Sequence, residues 1–249
     1  MTDLLAVDNL SVRFGDCAVV RDVSLAMRRE RVGIVGESGA GKSMLGRAIM
    51  GLLPSAATMT GSVAIDGAPF APAMRGGTVA LILQDPRFSL NPAMTIGDQI
   101  AEVLRRHRGM SGRAARREAV DGLDAVRIRD PEQVYGKYPH QLSGGMGQRA
   151  MIAMMLAPNP ALLIADEPTS ALDASVAGGV LALLDDEVTK RGMGILFISH
   201  DLDLVANFCD RVLVMKGGAI VEALPARDLP NARHPYTRQL LAARLRLEA

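Results

Sequence analysis

The octet Gly36-Glu37-Ser38-Gly39-Ala40-Gly41-Lys42-Ser43 follows directly on the apolar run Val32-Gly33-Ile34-Val35 and leads into an apolar helical pattern that reaches Met50. No other stretch restricts the fold so strongly. A strand, a glycine-rich turn and a helix in this order place the helix N-terminus against the end of the strand. Glycines let backbone N–H groups turn inward, and the helix start adds the positive end of its dipole. The turn is therefore a cradle for phosphate oxygens. It fits the pattern G-x-x-x-x-G-K-[ST] residue for residue. In such a loop the backbone from Gly36 to Gly41 wraps the phosphates of a nucleoside triphosphate such as ATP. Lys42 reaches the β- and γ-phosphates, and the Ser43 hydroxyl ligates Mg²⁺. A chance glycine-rich turn is the plain alternative, and the flanking strand and helix argue against it.

Upstream of the loop, Val7, Leu10, Val12 and Phe14 recur between polar neighbours, and Val23, Leu25 and Met27 repeat a period of two. Half-exposed antiparallel strands are expected there. Short strands are expected at 61–67 and 78–83. From Asp85 to about Pro160 helical patterns take over, punctuated by prolines at 86, 92, 131 and 139. Strand character returns at Leu162–Ala165, followed by a helix over 174–189, the strand GILFIS and a helix from Asp201. A hairpin turning at Gly217-Gly218 and an amphipathic helix from Pro235 complete the pattern. Apolar strands alternating with helices call for a parallel sheet. The expectation is a single α/β domain over 1–249. Its core would take 1–84 and 161–249, with an all-helical subdomain inserted at about 85–160.

Composition narrows the partners. Lys and Arg number 28 against 27 Asp and Glu, which argues against a dedicated nucleic-acid binder. With five Phe, three Tyr and no Trp, base-stacking platforms are not expected either. A hydrophobic fraction of 49% supports a real core. Cys17 and Cys209 make neither a disulfide framework nor a zinc site, and both are expected to be small buried hydrophobes. No leader is recognised, and no apolar run approaches the ~18 residues of a membrane span. The stretch from Arg105 to Arg117 carries six Arg and no acid. It reads as a solvated helical face, with anionic headgroups as the other possibility.

Leu162-Leu163-Ile164-Ala165 ends in Asp166-Glu167. Ligand groups of parallel sheets collect at the carboxyl ends of strands. Beside a phosphate loop, Asp166 suits Mg²⁺ through its water shell, and Glu167 suits a general base on the attacking water. Alone, such a pair is an ordinary solvated strand end. Ser143-Gly144-Gly145 opens a helix with free N–H donors, a hydroxyl and a positive dipole end, which makes a second anion site. An ordinary N-cap is the alternative for Ser143.

With these residues in place, the chain resembles the ATP-binding cassette (ABC) family of P-loop ATPases. Leu142-Ser143-Gly144-Gly145-Met146-Gly147-Gln148-Arg149 resembles the family's signature, although Gly147 stands where a long polar or basic residue is commoner. Gln84 is similar to the Q-loop glutamine, Ser170-Ala171-Leu172-Asp173 to the D-loop, and His200 to the switch histidine. Phe14 stands where an adenine-stacking aromatic, usually Tyr, is found. The resemblance implies an ABC cassette with an N-terminal antiparallel subdomain. It implies a second ATP-binding subunit stacked head to tail, so that Ser143, Gly144 and Gly145 cap the partner's γ-phosphate. Gln84 would join Ser43 and Asp166 at Mg²⁺, and His200 would sense the γ-phosphate.

Gln84 to Pro92, and His234-Pro235-Tyr236-Thr237, resemble importers of dipeptides, oligopeptides and nickel. The end at Ala249, with no cysteine after Cys209, leans toward the shorter nickel or metal-chelate members. The implied partners are two transmembrane permease subunits, a sibling or identical cassette and, indirectly, an extracytoplasmic solute-binding protein. The implied place is the cytoplasmic face of the inner membrane. Exporters share these motifs and remain the alternative. Chromosome and repair ATPases do not fit, because no sustained heptads separate Lys42 from Leu142. Translation-associated proteins carry two cassettes, against one here.

Overall fold

The computed structural model describes residues 2–85, 89–170 and 172–245. The chain divides into two compact units, one holding the residues up to Pro72 and from Gly194 onward, the other Ala73–Met193.

The first unit opens with β1 (Leu5–Phe14) and β2 (Cys17–Met27), then β3 (Arg31–Val35), α1 (Lys42–Ile49), β4 (Ala57–Ile65) and β5 (Ala68–Pro69). β1 pairs antiparallel with both β2 and β4, in the order β2-β1-β4-β5. The alternation of β1 slips once, since Val7 and Leu10 are three apart yet both buried. Asn9, at φ +46, takes up the extra residue in a register shift between them. β4 begins earlier than the sequence suggests, and Asp66 and Gly67 form the turn that ends it. Cys17 corrects an expectation. It is exposed, because it opens β2 straight after the Gly15-Asp16 turn.

The second unit holds β6 (Val79–Ile82), α2 (Ile96–Arg108), α3 (Gly112–Ala125), α4 (Pro131–Tyr135), α5 (Gly144–Leu156), β7 (Leu162–Asp166) and α6 (Ala174–Arg191). β6 and β7 run parallel, with Ile82 opposite Ala165. Every described α-helix between them belongs to α2–α5. Two of the helices start at a side-chain cap: Thr95 Oγ1 accepts the Asp98 N–H before α2, and Ser143 Oγ accepts the Met146 N–H before α5. Ile96, Ile100 and Leu104 of α2 and Ala115, Ala119 and Leu123 of α3 recur at helical spacing, and all are buried.

The first unit resumes with β8 (Gly194–Ile198), α7 (Leu202–Phe208), β9 (Arg211–Lys216), β10 (Ala219–Pro225) and α8 (Pro235–Leu245). Here the strand order runs β10-β9-β3-β8, with β3 parallel to both neighbours. Val32–Val35 of β3 and all of β8 are continuous apolar runs, buried on both faces as parallel strands are. The hairpin turn at Gly217-Gly218 has φ of +52 and +88, which a two-residue turn of this hand requires.

Candidate functional site

β3 ends at Val35, and the chain turns directly into the glycine-rich loop. Gly41 stands at the N-cap of α1 with φ +99, and a Cβ there would lie 2.4 Å from the Val19 carbonyl oxygen. Only glycine fits both demands. The Gly218 N–H donates to the Ala40 carbonyl at 3.0 Å, so the β9–β10 turn braces the loop. Lys42 is only 6% exposed, and its ammonium donates to the carbonyls of Gly36 at 2.7 Å and Glu37 at 3.0 Å. Ser43 lies exposed on the first turn of α1, which carries no acid. A buried ammonium beside a helix start whose first turn carries no acid suits a polyanion. Ile34 pairs with Ile198, and the Ser199 N–H donates to the Ile34 carbonyl at 3.1 Å. The C-terminal ends of β3 and β8 are therefore level, and His200 stands exposed at the edge from which the loop departs. Phe14 sits half-buried at the far end of β1, opposite Cys17 and Ala57.

In the second unit, parallel pairing of β6 and β7 sets Gln84 and Glu167 just beyond adjacent strand ends, with Asp166 the last residue of β7. Asp166 is 6% exposed. Glu167 has φ +48, a conformation that non-glycine residues adopt at a cost of about 1–3 kcal/mol and that clusters at functional sites. The Ser170 N–H and hydroxyl both donate to the Glu167 carbonyl, at 3.2 and 3.1 Å. The backbone after the acidic pair is thus folded back on itself. Ser143 and Gly144 are exposed at the start of α5. Gly145 lies against α6: a Cβ there would come within 2.6 Å of Val176 Cγ1. Asp173 stands exposed at the N-cap position of the same helix, without a side-chain cap bond. The structure thus gathers Gln84, Asp166 and Glu167 in one strand-end group, and the serine-glycine turn with the start of α6 in another. Ala171, and Pro86 to Phe88 of the stretch after Gln84, lie outside the described residues.

A family model described as ABC transporter matches residues 20–170. The chain belongs to the ABC transporter family. The cassette is 43% identical to the oligopeptide transport ATP-binding protein OppD of Bacillus subtilis, over all of this chain and 74% of that one. It is 42% identical to the glutathione import ATP-binding protein GsiA of Escherichia coli, over 97% of this chain. There the cassette spans less than half of its relative, 42%. The solved ATP-binding cassette MJ0796, a dimer bound to ADP and phosphate, superposes with a TM-score of 0.77 at 28% identity, covering 90% of this chain and 99% of that one. The cassette cbiO1 of Clostridium perfringens gives 0.77 at 25% identity, over 98% and 96%. The cassette is an α/β ATPase that binds ATP.

Two further residues of the cassette are informative through the backbone groups they meet. Gln148 is buried, and its amide donates to the Pro168 carbonyl at 2.5 Å. Tyr236 is also buried, and its hydroxyl accepts the Glu37 N–H at 3.1 Å. The sequence shows both as parts of motifs, and no periodicity reveals which backbone group each one meets. No helix among the described residues is long and apolar enough to cross a membrane.

Proposed function

We propose that this cassette energises a bacterial importer, with a short peptide favoured over the nickel or metal-chelate cargo of the same subfamily. The observation that carries the ATP site is Lys42, a buried cation held against the carbonyls of a glycine-rich loop at the start of α1, a setting that suits a triphosphate. The likeness to OppD, an oligopeptide transport protein, and GsiA, a glutathione import protein, supports the peptide side of the pair. On this reading ATP closes two cassettes head to tail, and hydrolysis reopens them. ATP does this work only by binding the closed state better than the open one. The phosphate-loop backbone from Gly36 to Gly41 and Lys42 hold the triphosphate, Phe14 stacks on the base, and Ser143, Gly144 and Gly145 cap the partner's γ-phosphate. Asp173 completes the facing surface, Glu167 is the general base, and His200 contacts the γ-phosphate.

Ser43, Gln84 and Asp166 offer hard oxygen donors, the set that Mg²⁺ prefers, and the ion would neutralise charge on the β- and γ-phosphates. Partners are two permease subunits, a second cassette of sibling type, and a solute-binding protein acting through the permeases. The cassette then works at the cytoplasmic face of the inner membrane, and 85–160 forms the helical subdomain that carries the signature.

Deleting the gene in its native host tests the cargo. Uptake of labelled di- and oligopeptides should fall to background and return with the native gene but not with Glu167→Gln. Loss of nickel uptake alone would move the assignment to metal chelates. Normal uptake of both would overturn import.

A further inference from the structure

We propose that Tyr236 is a positioning residue for Lys42, acting through the peptide unit that joins Gly36 to Glu37. That unit is held at both ends. Its N–H, on Glu37, donates to the Tyr236 hydroxyl at 3.1 Å. Its carbonyl, on Gly36, accepts the Lys42 ammonium at 2.7 Å. A peptide unit is planar, so fixing the N–H direction fixes the carbonyl direction as well. The hydroxyl of Tyr236 therefore helps set where the loop lysine rests.

Tyr236 is itself firmly placed. It is 3% exposed, with the Lys216 ammonium 4.5 Å from its ring centroid. Its own N–H donates to His234 Nδ1 at 3.2 Å. On either side the segment is clasped by one carboxylate. Glu222 accepts the N–H groups of Arg233 at 2.8 Å and His234 at 3.2 Å, and the Thr237 hydroxyl at 2.5 Å. Burial alone would raise the pKa of Glu222, and these donors outweigh it, so the carboxyl is held below its ordinary value. The line runs from β10 through Glu222 to the segment before α8, then through Tyr236 to the loop and Lys42. The segment thereby contributes to ATP affinity without touching the nucleotide.

The inference rests on the phosphate-loop reading and is tested on the full chain by titration with MgATP and by ATPase kinetics. Tyr236→Phe keeps the ring and removes the acceptor. Its dissociation constant and KM for ATP should rise about 3- to 10-fold, the effect of one neutral hydrogen bond. At saturation kcat should stay within about twofold, and the melting temperature within about 4 °C. Glu222→Gln, which loosens the clasp and leaves the hydroxyl in place, should shift affinity in the same direction by less. The double variant should equal Tyr236→Phe alone, because both act along one line. Unchanged affinity in Tyr236→Phe overturns the proposal. So does a fall in kcat and melting temperature at constant KM, which marks a merely structural tyrosine, and so does full additivity in the double variant. Lys42→Ala separates the two levels: retained ATP affinity there refutes the loop reading itself, whereas lost affinity with a silent Tyr236→Phe refutes only the positioning role.

Discussion

The Gln148 side-chain amide meets the Pro168 carbonyl at 2.5 Å, wholly out of water, and its own oxygen Oε1 has no partner among the described residues. The contact ties α5, which the serine-glycine turn opens, to the segment that leaves Asp166 and Glu167. Replacing the amide by a carboxyl probes it by charge. In Gln148→Glu, an ionised group would face the Pro168 carbonyl with no donor, whereas the protonated group can donate to it. The folded-state pKa of that carboxyl must therefore rise above its unfolded value of about 4.3. Stability is then fully present below that value and lost as pH climbs through the raised one. Thermal melts from pH 4 to 8 should show the gap to the native chain widening upward. A gap independent of pH would mean that the amide does not donate to Pro168.

Lys42 supplies the second prediction. On the proposed reading its ammonium opposes the triphosphate, and the carbonyls of Gly36 and Glu37 are among its partners. Lys42→Ala should lower ATP affinity or turnover by about two orders of magnitude or more and leave the fold intact. Nucleotide titration alongside circular dichroism measures both. Normal binding with normal hydrolysis would remove the loop from the mechanism.

These two predictions differ in how far the sequence could lead. The strand, glycine-rich turn and helix around Lys42 were legible because they are neighbours in the chain, and their spacing is the geometry. The parallel strands were legible from continuous apolar runs such as Ile195 to Ile198. Gln148 and Tyr236 were not, because their partners Pro168 and Glu37 lie far along the chain and are backbone atoms, which leave no trace in residue type. The exposure of Cys17 escaped for a related reason. Cysteine is a buried residue on average, and only the pairing of β1 with β2 shows that this one opens a strand at the surface.

The cysteines give a chemical test of the fold. Cys209 is buried where Gly33 lets α7 approach β3, and a Cβ on Gly33 would lie 3.1 Å from its sulfur. Burial pushes its thiol up to about 12, with Asp210 adding to the rise and Arg31 opposing it. At pH 8 a thiolate-directed reagent should label Cys17 alone in the native protein, and both cysteines in denaturant. Because the folded pKa is raised, the native state holds the proton longer than the unfolded chain does. Stability from this group therefore falls between pH 9 and about 12, and Cys209→Ala should flatten that part of the profile. Rapid labelling of two thiols in the native state would contradict the packing of α7.

Glu167 tests the chemistry at the strand ends. Glu167→Gln nearly keeps the shape and removes the carboxylate proposed as the base. ATP binding should persist while turnover falls by about 10²- to 10⁴-fold, and ATP should then trap cassettes in a closed pair. Single-turnover hydrolysis and gel filtration with ATP read the two effects. Turnover near the native rate in the assembled complex would assign the base elsewhere.

The last prediction concerns where Ser143 acts. Its hydroxyl lies 3.4 Å from the Met146 N–H, a long cap that holds it only loosely, and both Ser143 and Gly144 are exposed. If the turn serves the opposite nucleotide, an arginine there should leave ATP binding by the single chain nearly intact. It should obstruct the γ-phosphate only when two cassettes close. Ser143→Arg is therefore expected to keep its ATP dissociation constant within about twofold while losing ATP-dependent pairing and turnover. Mixed pairs sharpen the test. If the partner is a second copy, Ser143→Arg mixed with Lys42→Ala gives one interface bearing both lesions and one bearing neither. The intact interface should still trap a nucleotide, although each variant alone fails. If the partner is a sibling, combining Ser143→Arg with a change at the sibling's loop lysine confines both lesions to one site and spares the other. Loss of ATP binding by the unpaired Ser143→Arg chain would place the residue on its own nucleotide, and the head-to-tail arrangement would have to be abandoned.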